Sequence, residues 1–101
     1  MPIRRDPRHE ARHAAGLLGA SLGRELRMAR LGAGLGQRSA GAGAGMSHAH
    51  WGRIERGLVP NLSLAQACAA AAVVGLRLSV RAYPDGDPIR DAGQAACACR
   101  D

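Results

Sequence analysis

Apolar positions in the first third of the chain recur at helical spacing. Leu18, Leu22, Leu26 and Ala29 fall on one stripe, with Arg24, Glu25 and Arg27 off it. This predicts a helix over residues 19–31, with Ser21 as a candidate cap and Gly32 and Gly34 at its end. Residues 37–44 form a second, weaker helix, because Gly41 and Gly43 each cost about 1 kcal/mol relative to alanine in a helix interior. Gly45 suits the left-handed position that closes a helix. Ser47 suits the N-cap of a third helix over residues 47–56, which Gly57 ends and Pro60 keeps from continuing. A fourth helix is expected over residues 62–74, capped by Asn61 or Ser63. Leu64, Ala67, Cys68, Ala71 and Val74 make its inner face, and Gly75 stops it. Residues 76–82 then alternate apolar and polar, which is a strand signature. The Pro84–Pro88 stretch around Gly86 is a turn cluster, and residues 89–101 carry no periodic signal and are expected to fray.

Composition narrows this picture. In 101 residues there is room for one small domain with tails. Leu, Ile, Val and Phe together number 18, with no Phe, so the core is thin and disorder is a live alternative. Much of the 47% hydrophobic content is alanine, which favours helix over sheet and buries little area. All 14 basic side chains are arginines, and ten of them lie in the first sixty residues against four acids, which places the net charge of +6 there. That asymmetry favours a polyanion as partner, nucleic acid before membrane. Three cysteines, an odd number, argue against a disulfide framework and for a reduced, cytoplasmic protein. The longest apolar run, residues 64–76, is too short to span a bilayer. Arg4, Arg5 and Arg8 ahead of residues 14–22 have the outline of a secretory signal, which Asp6, Glu10 and two glycines break. The expected organisation is a basic, Pro- and Arg-rich arm over residues 1–18, helical at the earliest from Glu10. A helical domain over residues 19–76 and a strand, turn and disordered tail over residues 77–101 complete it.

The second and third helices, joined through Gly45, have the layout of a helix-turn-helix. On the third, Trp51 and Ile54 are three apart and face inward, while His48, Ala49, Gly52 and Arg53 fall on another face, free to enter a major groove. Arg53 suits guanine O6 and N7 bidentately, His48 a base edge, and Ala49 a thymine methyl.

From residue 22 to 78 the chain resembles the XRE-type, lambda-repressor-like helix-turn-helix regulators. The resemblance rests on LGRELRMAR over residues 22–30, Leu35-Gly36-Gln37, Gly45-Met46-Ser47, Arg53-Ile54-Glu55-Arg56-Gly57, Pro60 and the run from Leu64 to Leu76. It implies an all-α fold: a four- to five-helix bundle, here with a short C-terminal β-strand and frayed tails, that binds double-stranded DNA through its third helix, commonly as a homodimer. Gln37 matches a glutamine that opens the second helix and touches DNA, and His48, Ala49 and Arg53 match base-facing positions. With Arg38, Ser47 and His50 beside them they form the expected DNA-contacting set. Arg30 and Glu55 match a buried salt bridge that ties helix one to helix three. The chain departs from the family at Ala40-Gly41, where a Leu-Ala pair is usual, and at Trp51, where Ile or Val is usual. The expectation is that Trp51 partly refills the hole left at Ala40.

The remaining residues suggest no further chemistry. His48 and His50, two apart on a helix, do not share a face, and Cys97 and Cys99 with a remote Cys68 do not make a zinc set, so no metal and no cofactor are expected. Asp85 and Asp87 serve the turn. The Gly-Ala run from Gly41 lacks the lysine and hydroxyl of a phosphate-binding loop, and no nucleophile has a matching base, so no enzyme activity is expected. The leading reading is a transcriptional regulator that reads a half-site. The alternatives are an antitoxin-like protein-interaction module on the same bundle, and a truncated, poorly folding member of the family.

Overall fold

The computed structural model of the chain describes residues 6–88. Its first helix is nucleated by Asp6, whose carboxylate accepts from the amides of Arg8 (3.1 Å) and His9 (3.4 Å). Pro7 takes the first helical position, where no amide donor is needed, and Glu10 adds a negative charge to the first turn. Helix α1 therefore runs unbroken over Pro7–Gly32, starting twelve residues ahead of the expected Gly19. Its 26 residues make a rod about 39 Å long. Residues 7–18 are exposed throughout, and Leu18, expected on the inner stripe, is 71% exposed.

The remaining helices are short: α2 over Gln37–Gly43, α3 over His48–Glu55 and α4 over Leu64–Val73. Ser47 caps α3 by accepting from the His50 amide at 3.1 Å, and Ser63 caps α4 by accepting from the Gln66 amide at 3.0 Å. All four helices end the same way, on a glycine of positive φ flanked by paired backbone hydrogen bonds to the last turn. At the turn between α2 and α3, Gly45 has φ +75°, its amide donates to the Ala42 carbonyl, and that of Met46 donates to Gly41. The bend expected at Gly45 is thus present.

The core forms where α3 is enclosed by the other helices. Leu26, Ala40, Trp51, Ile54, Ala70, Ala71 and Val74 are buried in one cluster, with Leu22, Ala29, Met46, Val59, Leu62 and Leu78 packed around it. Trp51 and Leu26 are the largest fully buried side chains, so one indole supplies much of the volume that the surrounding alanines do not. Trp51 and Ala40 both belong to this buried cluster. Small residues also let backbones touch. A Cβ on Gly23 would lie within 2.5 Å of the Ile54 carbonyl oxygen and closer still to that of Glu55. One on Gly41 would lie 2.9 Å from the Met46 oxygen. Gly41, expected as a defect in α2, is what allows α2 to pack against the turn.

Three expectations need correction. On α4, Leu64 is 65% exposed and Cys68 is exposed, while Ala70 points inward. The helix starts only at Leu64, and with alanine at six of its ten positions the sequence does not fix which face is inner. Gly52 is buried, because the side chains of Gln37 and Arg56 lie over it. Residues 76–82 form no strand: a strand needs a ladder partner, and among the described residues there is none. The first five residues of the expected arm and the tail from residue 89, with Cys97 and Cys99, lie outside the described residues. Among those described, no helix is long and apolar enough to cross a membrane.

Candidate nucleic-acid interface

The outer face of α3 follows from its inner one. With Trp51, Ile54 and Glu55 turned into the bundle, the 3.6-residue repeat leaves His48, Ala49, Arg53 and Arg56 exposed along one side. Ser47 is exposed at the head of this face, and its hydroxyl is used by the cap. His50 is half-buried, its Nε2 lying 3.4 Å from Gln66 Oε1 on α4. Of the seven residues expected to meet DNA, His48, Ala49 and Arg53 therefore share one exposed face and Ser47 stands at its end, while His50 leans toward α4.

Gln37 and Arg38 open α2 beside this face. Arg38 is exposed. Gln37 is half-buried, and its Nε2 donates to Glu55 Oε1 at 3.1 Å. Gln37 thus bridges the outer face and the interior, with its amide group over Gly52.

Beneath the face lies the charged pair expected of Arg30 and Glu55. Both residues are 7% exposed. Arg30 donates through Nε to Glu55 Oε2 (2.5 Å) and through a terminal nitrogen to Oε1 (3.0 Å), and its other terminal nitrogen reaches the Leu35 carbonyl (2.9 Å). The Trp51 indole N–H donates to Glu55 Oε2 as well. One carboxylate therefore receives α1, α2 and α3 together. Burial pushes the Glu55 carboxyl up, but hydrogen bonds from Arg30, Trp51 and Gln37, with the Arg30 charge, outweigh it and hold the carboxyl below its ordinary range. The hydrogen bond it donates to Glu55, with the Glu55 charge, raises Arg30 in turn, against the lowering from burial. No buried side-chain nitrogen or oxygen among the described residues lacks a partner.

This arrangement sets the sign of the surface. Residues 37–56 contain one acid, Glu55, and its charge is spent on Arg30 inside the bundle. Arg38, Arg53 and Arg56 remain exposed with no carboxylate on α2 or α3 to oppose them. The DNA-contacting set expected from the sequence omits Arg56, which is exposed beside Arg53. Its position eight residues after His48 is the signal that puts it there. Nothing in the region suggests a metal centre, and no three His, Cys, Asp or Glu among the described residues stand together in an arrangement able to hold an ion.

A family model described as a helix-turn-helix domain matches residues 21–83, which spans the second half of α1, all of α2, α3 and α4, and the segment beyond. No curated protein and no solved structure matches the chain.

Proposed function

The chain belongs to the helix-turn-helix domain family, and from that premise we propose that it is a sequence-specific DNA-binding regulator of transcription whose α3 reads a half-site in the major groove. The observation that carries this reading is the exposed α3 face of His48, Ala49 and Arg53, flanked by Arg38 and Arg56 with no uncompensated acid. In this reading Arg38, Arg56 and the amides at the head of α3 hold phosphates and set register. Arg53 pairs with guanine O6 and N7, a contact worth about 1–3 kcal/mol of discrimination. Gln37 and His50 sit at the edge of this contact. A cytoplasmic location follows from the function proposed.

Eight helical residues offer few base contacts, so useful specificity calls for two copies on a palindrome. We place the contact between copies at residues 76–82, which alternate apolar and polar and have no ladder partner among the described residues. Exposed Leu18, Leu64 and Val80 border an apolar groove beside that segment.

Selection of bound sequences from a random DNA pool tests the whole reading. The expected winner is a palindrome whose affinity falls steeply with salt, and Arg53→Ala relaxes preference at one base pair per half-site. Salt-insensitive, sequence-blind binding, unchanged by Arg53→Ala, would instead identify the bundle as a protein-interaction module. A monomeric mass at high protein concentration, in sedimentation equilibrium, would remove the pairing through residues 76–82.

A further inference from the structure

A groove of about 570 Å³ lies between α1 and the segment that follows α4. It takes no residue from α2 or α3, so it is separate from the candidate nucleic-acid face. Leu18 and Leu22 of α1 line one side, Leu64 at the start of α4 lies beside them, and Leu78 and Val80 line the segment beyond. Leu18, Leu64 and Val80 are exposed at its rim. Apolar side chains gathered round a hollow, unlike ones scattered singly, mark a contact site. Only two charged side chains line the groove, Glu25 on α1 and Arg81 next to Val80. Both are exposed, and neither side chain has a partner among the described residues.

The charges narrow what the groove can hold. The chain carries a net charge of +6 and repels its own copy wherever both present arginines. At the groove one acid and one base cancel, so here two copies can meet without that repulsion, and a polyanion gains nothing. We propose that this groove seats a second copy of the chain, related by a two-fold axis, with Glu25 of each copy paired to Arg81 of the other. A two-fold contact uses one patch twice, so an unpaired acid beside an unpaired base makes that patch complementary to itself. The exposed Leu18, Leu64 and Val80 of the two copies cover each other in this contact. The proposal rests on the two-copy arrangement proposed above and extends its contact from residues 76–82 across the groove to α1.

The test is charge exchange, read as dimer mass in sedimentation equilibrium of the full chain without DNA. Glu25→Arg and Arg81→Glu each turn two attractive contacts per dimer into two repulsive ones. Each alone weakens dimerisation by roughly tenfold, because a surface pair is worth only a few-fold and symmetry counts it twice. Arg81→Glu also lowers the net positive charge, so its effect is not general repulsion. An equimolar mixture of the two variants recovers the dimer mass of the parent, since one brings two bases to the groove and the other two acids. The chain with both substitutions recovers it as well. Leu18→Gln weakens the dimer, and no charge exchange restores it. Leu18, Glu25 and Arg81 are exposed, so circular dichroism is expected to show every variant folded. A parent that stays monomeric overturns the proposal and assigns the groove to some other occupant. Rescue in the doubly substituted chain but not in the mixture also overturns it, by making Glu25 and Arg81 a pair within one chain. A dimer that both single variants leave intact removes the groove and leaves the two-copy reading standing. Loss of sequence preference in the DNA selection removes the regulator reading without changing any of these masses.

Discussion

The two halves of α1 are one continuous helix made of the same few residue types, yet only one of them is held. Residues 20–30 lie on α3, with Gly23 against the Ile54 and Glu55 carbonyls, Leu26 in the core and Arg30 paired to Glu55. Residues 7–18 are exposed on every side, and Gly16 and Gly19 have nothing within 4 Å of where a Cβ would stand. Helix propensity and the Asp6 cap build the first half, and tertiary contact builds the second. A long helix in a small protein is therefore not evidence of a large core. The family match begins at Ser21, close to the boundary between the two halves.

The sharpest way to break the comparison is to cut the anchor of the held half. Replacing Glu55 by alanine removes the acceptor of Arg30, Trp51 and Gln37 at once and leaves the Arg30 charge buried alone. The expected loss is about 3–5 kcal/mol, enough to unfold a domain of this size at room temperature. Thermal melting followed by circular dichroism checks this, and a melting point within a few degrees of the parent would show that the pair is not the anchor. The same carboxylate makes stability depend on pH. Because the folded Glu55 sits below its ordinary range, its contribution is complete above about pH 4.3, where the unfolded group ionises, and is lost as pH falls through the lower folded value. Acid titration of stability in the parent should fall in that window, and Glu55→Gln should flatten this part of the profile.

Gly23→Ala strikes the same half through shape rather than charge. The added methyl meets two backbone carbonyls that cannot rotate away, so α1 must lift off α3. A loss of about 1–3 kcal/mol is expected, the usual cost of overpacking, in place of the gain alanine normally brings to a helix. A melting point equal to the parent's would mean that the two helices are not in backbone contact at this residue.

What the sequence made legible follows the same division. The ends of α2, α3 and α4 were readable because Ser47, Ser63 and the glycines at 45, 57 and 75 act through local backbone geometry. The inward face of α3 was readable because Trp51 and Ile54 stand out against small and polar neighbours. The start of α1 was carried by Asp6, Pro7 and Glu10, a complete helix-start signal hidden in a stretch that looked like a Pro- and Arg-rich arm. The inner face of α4 was not legible, since alanine occupies both sides of that helix and only contact decides between Cys68 and Ala70. The candidate site was legible at His48, Ala49 and Arg53, where position on the helix is enough. It was not at Gly52 and Gln37, where the side chain of one covers the other across two helices. No reading of periodicity shows that Gly41 and Gly23 are contacts rather than defects, because the reason lies on the opposing backbone.

The smallest effect is also the most discriminating, since it acts on the free half alone. Gly16 is interior to α1, has space around its Cα and lacks any tertiary neighbour, so alanine there meets no clash. Gly16→Ala should stabilise the helix locally by about 0.5–1 kcal/mol, through its propensity and the smaller entropy of the unfolded chain. Because residues 7–18 lend no side chain to the buried cluster, that gain should remain local. Amide exchange in residues 10–18 is expected to slow by roughly two- to fivefold, since 1.4 kcal/mol is tenfold. The amides of Leu26 and Trp51, which open only with the bundle, should exchange as in the parent, and the melting midpoint should hold. If the core amides slow by the same factor as the exposed ones, the two halves of α1 unfold as a single unit and the contrast drawn between them fails.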